Sequence, residues 1–97
     1  MKFEWDEAKN RANIRKHGFD FADAEEMFCG ILLVRPDTRE DYGEERWIGI
    51  GYTRGRLAFL SFAQRAEGVI RIISFRKADH EEREEYEEAI KNGLEAH

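Results

Sequence analysis

Arg54, Arg56, Arg65, Arg71, Arg76 and Lys77 fall between residues 54 and 77 with a single acid, Glu67, among them. A guanidinium offers a planar fork of N–H donors that matches the oxygens of a phosphate or a carboxylate, and it stays charged at any working pH. If strands carry these side chains to one place, Arg76 or Lys77 at a strand end and Arg65 across the preceding turn bracket a phosphate. The alternative is a set of solvated strand cations paired with Glu44, Glu45, Glu67 or the acids that follow Lys77. His17, in Arg15-Lys16-His17-Gly18, also has two readings. It is either an acid/base group titrating near neutrality or a cation complementing the negative end of a helix.

Other chemistries find no support. Gly49, Gly51 and Gly55 lie in strands and a turn, without the strand-to-helix context of a phosphate-binding loop. His17, His80, His97 and the lone Cys29 share no ligand spacing, so neither metal nor cofactor is expected. No G-x-S-x-G elbow is present, which leaves Ser61 and Ser74 as ordinary strand residues.

MKFEW places Phe3 and Trp5 on one face of a short first strand. Asp6 caps a helix that Gly18 ends, with Ala8, Ala12 and Ile14 expected inward. Asp20 caps a second helix over residues 20–28, with Phe21, Ala24, Met27 and Phe28 at helical spacing. The period then becomes two: residues 31–37, whose Pro36 suits a sheet edge, then 46–53, 56–64 and 69–76 read as strands. Alternation in the last strand sets Arg71 and Arg76 on opposite faces unless a bulge intervenes. Asp79 and Glu82 form a capping box for a final helix to about residue 92, with Tyr86, Ala89 and Ile90 inward and Leu94 just beyond. The order β-α-α-β-β-β-β-α with short hairpins predicts an α+β fold: an antiparallel sheet of four or five strands with helices on one face.

Ninety-seven residues suit one domain, 1–97, with one modest core. The unpaired Cys29 favours a reducing compartment, and there is neither a membrane-length apolar run nor a signal-peptide pattern, so the expected location is cytoplasmic. The net charge of −5 conceals a split. Residues 46–77 carry seven bases and one acid, whereas residues 79–97 carry eight acids and two bases. A bound anion responds to the local field and not to the average.

FEWDEAKNRANIRKHGFDFADAEEMF (3–28), DYGEERWIGIG (41–51) and RIISFRKADHEEREEYEE (71–88) together resemble BrnT, the toxin half of a bacterial type II toxin–antitoxin pair. The resemblance spans residues 3–88. It implies a RelE-like fold, a metal-independent endoribonuclease that arrests translation, and neutralisation by a BrnA-like ribbon-helix-helix antitoxin. The implied complex is 2:2 and reaches DNA only through the antitoxin. In such an enzyme Arg65 and Arg76 are expected to stabilise the phosphorane and Lys77 and His17 to serve as acid and base. Arg54, Arg56 and Arg71 are expected to hold the RNA backbone. The acids of the last helix are expected to pair with the cationic strands or with the antitoxin. Two other readings stay open: a catalytically weak BrnT-like module acting as antitoxin partner and corepressor, and an interaction domain using the edge strand at 31–36.

Overall fold

The computed structural model describes residues 1–93. The elements are β1 (Lys2–Glu4), α1 (Glu7–His17), a 3₁₀ turn (Phe21–Asp23), α2 (Ala24–Cys29), β2 (Leu33–Pro36), β3 (Trp47–Thr53), β4 (Arg56–Ala66), β5 (Val69–Lys77) and α3 (His80–Lys91). They form one five-stranded sheet in the order β1-β5-β4-β3-β2. Leu94, expected beside the last helix, lies outside the described residues.

Local signals account for most boundaries. The Asp6 carboxylate accepts from the Lys9 N–H, and Gly18 closes α1 in the left-handed conformation at φ 72°. Arg54 and Gly55 both take positive φ, the geometry of the tight β3–β4 hairpin. Asp79 and Glu82 close the capping box of α3. Pro36 ends β2, an outer strand of the sheet.

Two features of the expected architecture need correction. The sheet is mixed, because β1 runs parallel to β5 while the other three pairs are antiparallel. Short hairpins fix the direction of consecutive strands, but the whole chain separates β1 from β5 and no hairpin constrains it. The helices also do not share one face. Ala58, Leu60 and Phe62 of β4 pack with Phe19, Phe21, Ala24 and Met27, whereas the alternate residues Leu57 and Phe59 pack with Tyr86 and Ile90 of α3. Period-two alternation puts these two cores on opposite sides of the sheet. The all-buried run from Leu57 to Ala63 reflects that double coverage.

The inner side of α1 departs from expectation most. Ile14 is 38% exposed and Ala8 and Ala12 are exposed; the buried residues are Asn10 and Asn13. β1 pairs with only residues 69–71 of β5, which leaves the backbone of the strand's second half without a partner on that side. Asn13 supplies one: its Nδ2 donates to the Phe75 carbonyl at 2.8 Å and its Oδ1 accepts the Phe75 N–H at 3.1 Å. The same amide nitrogen donates to the Phe19 carbonyl at 2.9 Å. Asn10 accepts the Phe21 N–H and donates to Asp20. Two asparagines thus tie α1 to the sheet edge and to the loop that follows it.

Replacing Asn13 with alanine removes three bonds and strands buried backbone groups, so a loss of about 3 kcal/mol is expected in urea denaturation. Ile14→Ser, at the position expected inward, should stay within about 0.5 kcal/mol of the parent.

Candidate active site

β5 carries the first correction to the strand geometry. Ser61 pairs with Ser74 and Phe62 with Ile72, so Ile73 is an extra, bulged residue. The bulge shifts the alternation: Ile70, Ile72 and Phe75 all join the core beneath α1 and α2. Arg71 and Arg76 consequently share the opposite face, the arrangement that simple alternation forbids. Arg65 is a second extra residue, opposite the start of β5.

Arg76 lies at the junction between the sheet and α3. Its Cζ stands 4.0 Å from the centre of the Phe59 ring. Glu82 grips it through two bonds of 2.8 Å, and a third N–H goes to the Lys77 carbonyl. Three of its five donors are used; the Nε–H and one Nη2–H remain. Glu82 also accepts the Asp79 N–H at 2.9 Å, so one carboxylate both caps α3 and orients the arginine.

His17 ends α1 beside this strand end and lines a groove with Ser74. Partial burial, followed by the charges of Lys16 and Arg76, holds its imidazole below its usual pKa of 6.5. It is therefore mainly neutral at pH 7 and able to accept a proton. Lys77 follows Arg76, is exposed, and stands opposite Ala58 on the α1 side of the sheet. Arg56 sits nearby, its guanidinium 3.8 Å from the Phe19 ring centre and donating to the Gly18 carbonyl.

The remaining expected residues do not converge with these. Arg76 pairs with Phe59, six residues along β4 from Arg65, which separates them by about 20 Å. The expected bracketing of one phosphate by Arg65 and Arg76 therefore fails, because the two belong to opposite ends of the β4–β5 ladder. Arg65 lies 3.9 Å from Glu44, Arg71 bonds Glu4 at 3.3 Å, and Arg54 lies 3.6 Å from Asp23. These are the carboxylate-paired strand cations of the alternative reading.

Sequence reasoning missed Arg39, which lies within a polar loop. Its Cζ stands 5.2 Å from the same Phe59 ring that carries Arg76, and Asp37 holds it through bonds of 2.8 and 2.7 Å. Those bonds keep the buried Asp37 carboxyl at about 2. Lys9 and Lys16 were also passed over as ordinary exposed helix positions. Neither has an ion-pair partner among the described residues. Within these same residues no group of three or more His, Cys, Asp or Glu is placed to hold a metal ion, and no helix is long and apolar enough to cross a membrane.

A five-stranded mixed sheet with an amide-tethered helix, and with Arg76 and Lys77 at the end of its β5 strand, defines a small α+β protein. The family model described as ribonuclease toxin, BrnT, of type II toxin–antitoxin system matches residues 5–82. Among solved structures, the 1.1 Å crystal structure of the Brucella abortus ribonuclease toxin BrnT is 34% identical, with a TM-score of 0.68. That match covers 82% of this chain and 99% of the Brucella chain. Comparison with curated proteins gives no match. The chain belongs to the BrnT family, the ribonuclease toxins of type II toxin–antitoxin systems, and as such it has an antitoxin partner.

The depressed His17 pKa fixes a sign. Between 6.5 and its lower folded value the unfolded chain binds the extra proton, so this residue's contribution to stability falls as pH drops through that window. An NMR titration should place the imidazole midpoint below 6.5, with a partial return in Lys16→Gln and Arg76→Gln. Asp37 contributes stability above its unfolded pKa of 3.8 that is lost as pH falls towards 2. Asp37→Asn should accordingly flatten acid denaturation between pH 4 and about 2, followed by circular dichroism.

Proposed function

We propose that this chain cleaves RNA without a metal ion, by attack of a ribose 2′-oxygen on the adjacent phosphorus. The P–O2′ bond forms as the P–O5′ bond breaks, which leaves a 2′,3′-cyclic phosphate and a 5′-hydroxyl. His17 takes the 2′-OH proton, and Lys77 delivers a proton to the departing 5′-oxygen. Arg76 directs its two unused N–H groups at the oxygens of the phosphorane. Arg56, and Arg71 further along the α3 side of the sheet, hold the flanking backbone. The observation that carries this reading is the imidazole of His17 at the end of α1, in the groove with Ser74 of β5, with its pKa lowered by burial and by the charges of Lys16 and Arg76.

Arg65 and Arg54 lie outside this arrangement and serve at most the outer reaches of a bound strand. Family membership supports a ribbon-helix-helix antitoxin in a 2:2 complex, with DNA reached only through that antitoxin. The exposed single Cys29 is compatible with the reducing cytoplasm as its compartment. One observation favours a second reading, a catalytically weak corepressor: Glu82 already occupies Arg76, and Arg54, Arg65 and Arg71 are paired with acids too.

Purified protein in EDTA should release RNA fragments ending in 2′,3′-cyclic phosphate, and induction of the chain alone should halt growth. His17→Ala and Arg76→Ala should each lower cleavage about 100-fold or more with folding retained. Arg65→Ala should stay near the parent rate. Parent-like activity in both site variants removes the assignment. A folded parent that binds its antitoxin yet neither halts growth nor cuts RNA establishes the second reading instead.

A further inference from the structure

The bulge at Ile73 and the tether at Asn13 leave an open groove between α1 and β5, about 280 Å³ in volume. One wall carries Lys9, Ala12, Lys16 and His17, and the other Ile73 and Ser74. We propose that this groove is a binding track for single-stranded RNA, leading one flank of the substrate to the scissile phosphate at His17. The proposal rests on the ribonuclease reading and extends it to residues outside the reacting centre.

Charge is the first reason. Arg35, Arg39, Arg46, Arg54, Arg65, Arg71 and Arg76 each lie within ion-pair distance of a carboxylate. Lys9 and Lys16 have no such partner among the described residues, so their ammonium groups remain available to an external anion. A second cleft, within residues 36–47, is lined by Asp37, Glu40, Asp41, Glu44 and Glu45, with Arg46 the one base among its lining residues. That cleft repels a polyanion; the α1 groove attracts one.

Geometry is the second. Lys9 and Lys16 are seven residues apart on α1, two turns and about 10 Å along one side of the helix. That spacing suits two separate phosphates of an extended strand. Between them Ala12 is the smallest side chain a helix offers without loss of propensity, and it leaves the floor open. Half-buried Ile73 gives an apolar surface for a ribose or base, and the Ser74 hydroxyl offers a hydrogen-bond partner. His17 stands next to Lys16, so a strand lying in the groove arrives at the imidazole. We expect it to take a single strand and not a duplex.

The test uses a single-stranded 2′-O-methyl RNA decamer, which cannot be cleaved by 2′-attack, and the same decamer as a duplex. Lys9→Gln/Lys16→Gln should weaken binding of the single strand about tenfold at low salt. Removing two phosphate contacts should also flatten the dependence of log Kd on log salt by about 1.4. Ala12→Leu keeps every charge, fills the floor, and should weaken the single strand severalfold. Arg11→Gln/Arg15→Gln removes the same charge from α1 outside the groove and should have the smaller effect. Equal losses in the two charge pairs, or no loss with Ala12→Leu, overturn the proposal. So does a groove variant that still binds and cleaves RNA normally but escapes neutralisation, because the track then belongs to the antitoxin. Failure of the ribonuclease reading shows separately, as a parent protein that cuts no RNA at all.

Discussion

The site depends on a side-chain amide acting as a strand. β1 is too short to cover β5, and an uncovered strand edge with unsatisfied N–H and C=O groups is both unstable and open to association. The Asn13 amide offers one donor and one acceptor in the geometry a neighbouring strand would present, and Phe75 uses both. The bond at Phe19 turns the same amide into a three-way junction between helix, loop and sheet. Because Phe75 lies near the end of β5, the junction fixes α1 against that strand end. His17 is located by this constraint and not by an apolar face of its helix.

The opposed charges along the chain follow a structural logic. Cations projecting from a two-sided sheet would be costly to cover unless neutralised, and the acids following β5 do part of that work. Glu82 is the most economical case, capping α3 while it holds Arg76 against Phe59. Glu85, on the same helix, pairs with Arg35 of β2 at the far edge of the sheet. Among the cations the acids leave unpaired are Lys9 and Lys16 of α1. An acidic protein thereby keeps a local basic surface, and the field a phosphate meets there has the opposite sign to the average.

Elements with local signals were legible from residues alone. Asp6, Gly18, Asp79 and Glu82 mark helix ends through contacts with residues three or four positions away, and alternation with hairpin turns marks β3, β4 and β5. The features that decide the site are non-local. Nothing near Ile73 announces a bulge, which follows from how β4 and β5 settle against two cores at once. The direction of β1 and the side taken by α3 were missed for the same reason. Asn10 and Asn13 did leave a trace: two poor helix formers three residues apart on one side of α1 signal a polar task where an apolar stripe was expected. Of the site residues, His17, Arg76 and Lys77 stand at the same strand end, with Arg56 close by. Arg65 does not, since strand length separates it from Arg76, and Arg39 was hidden in a loop without periodicity.

The proposed RNA-facing surface is the α1–β5 seam, where Lys9, Lys16 and the His17 imidazole meet. Chemical-shift mapping with a non-cleavable RNA strand examines it residue by residue. The largest changes are expected at the last two turns of α1 and at residues 73–77, with the His17 ring signals among them. Changes concentrated on the outer side of α3 or in residues 36–47, with the His17 ring unmoved, would contradict it.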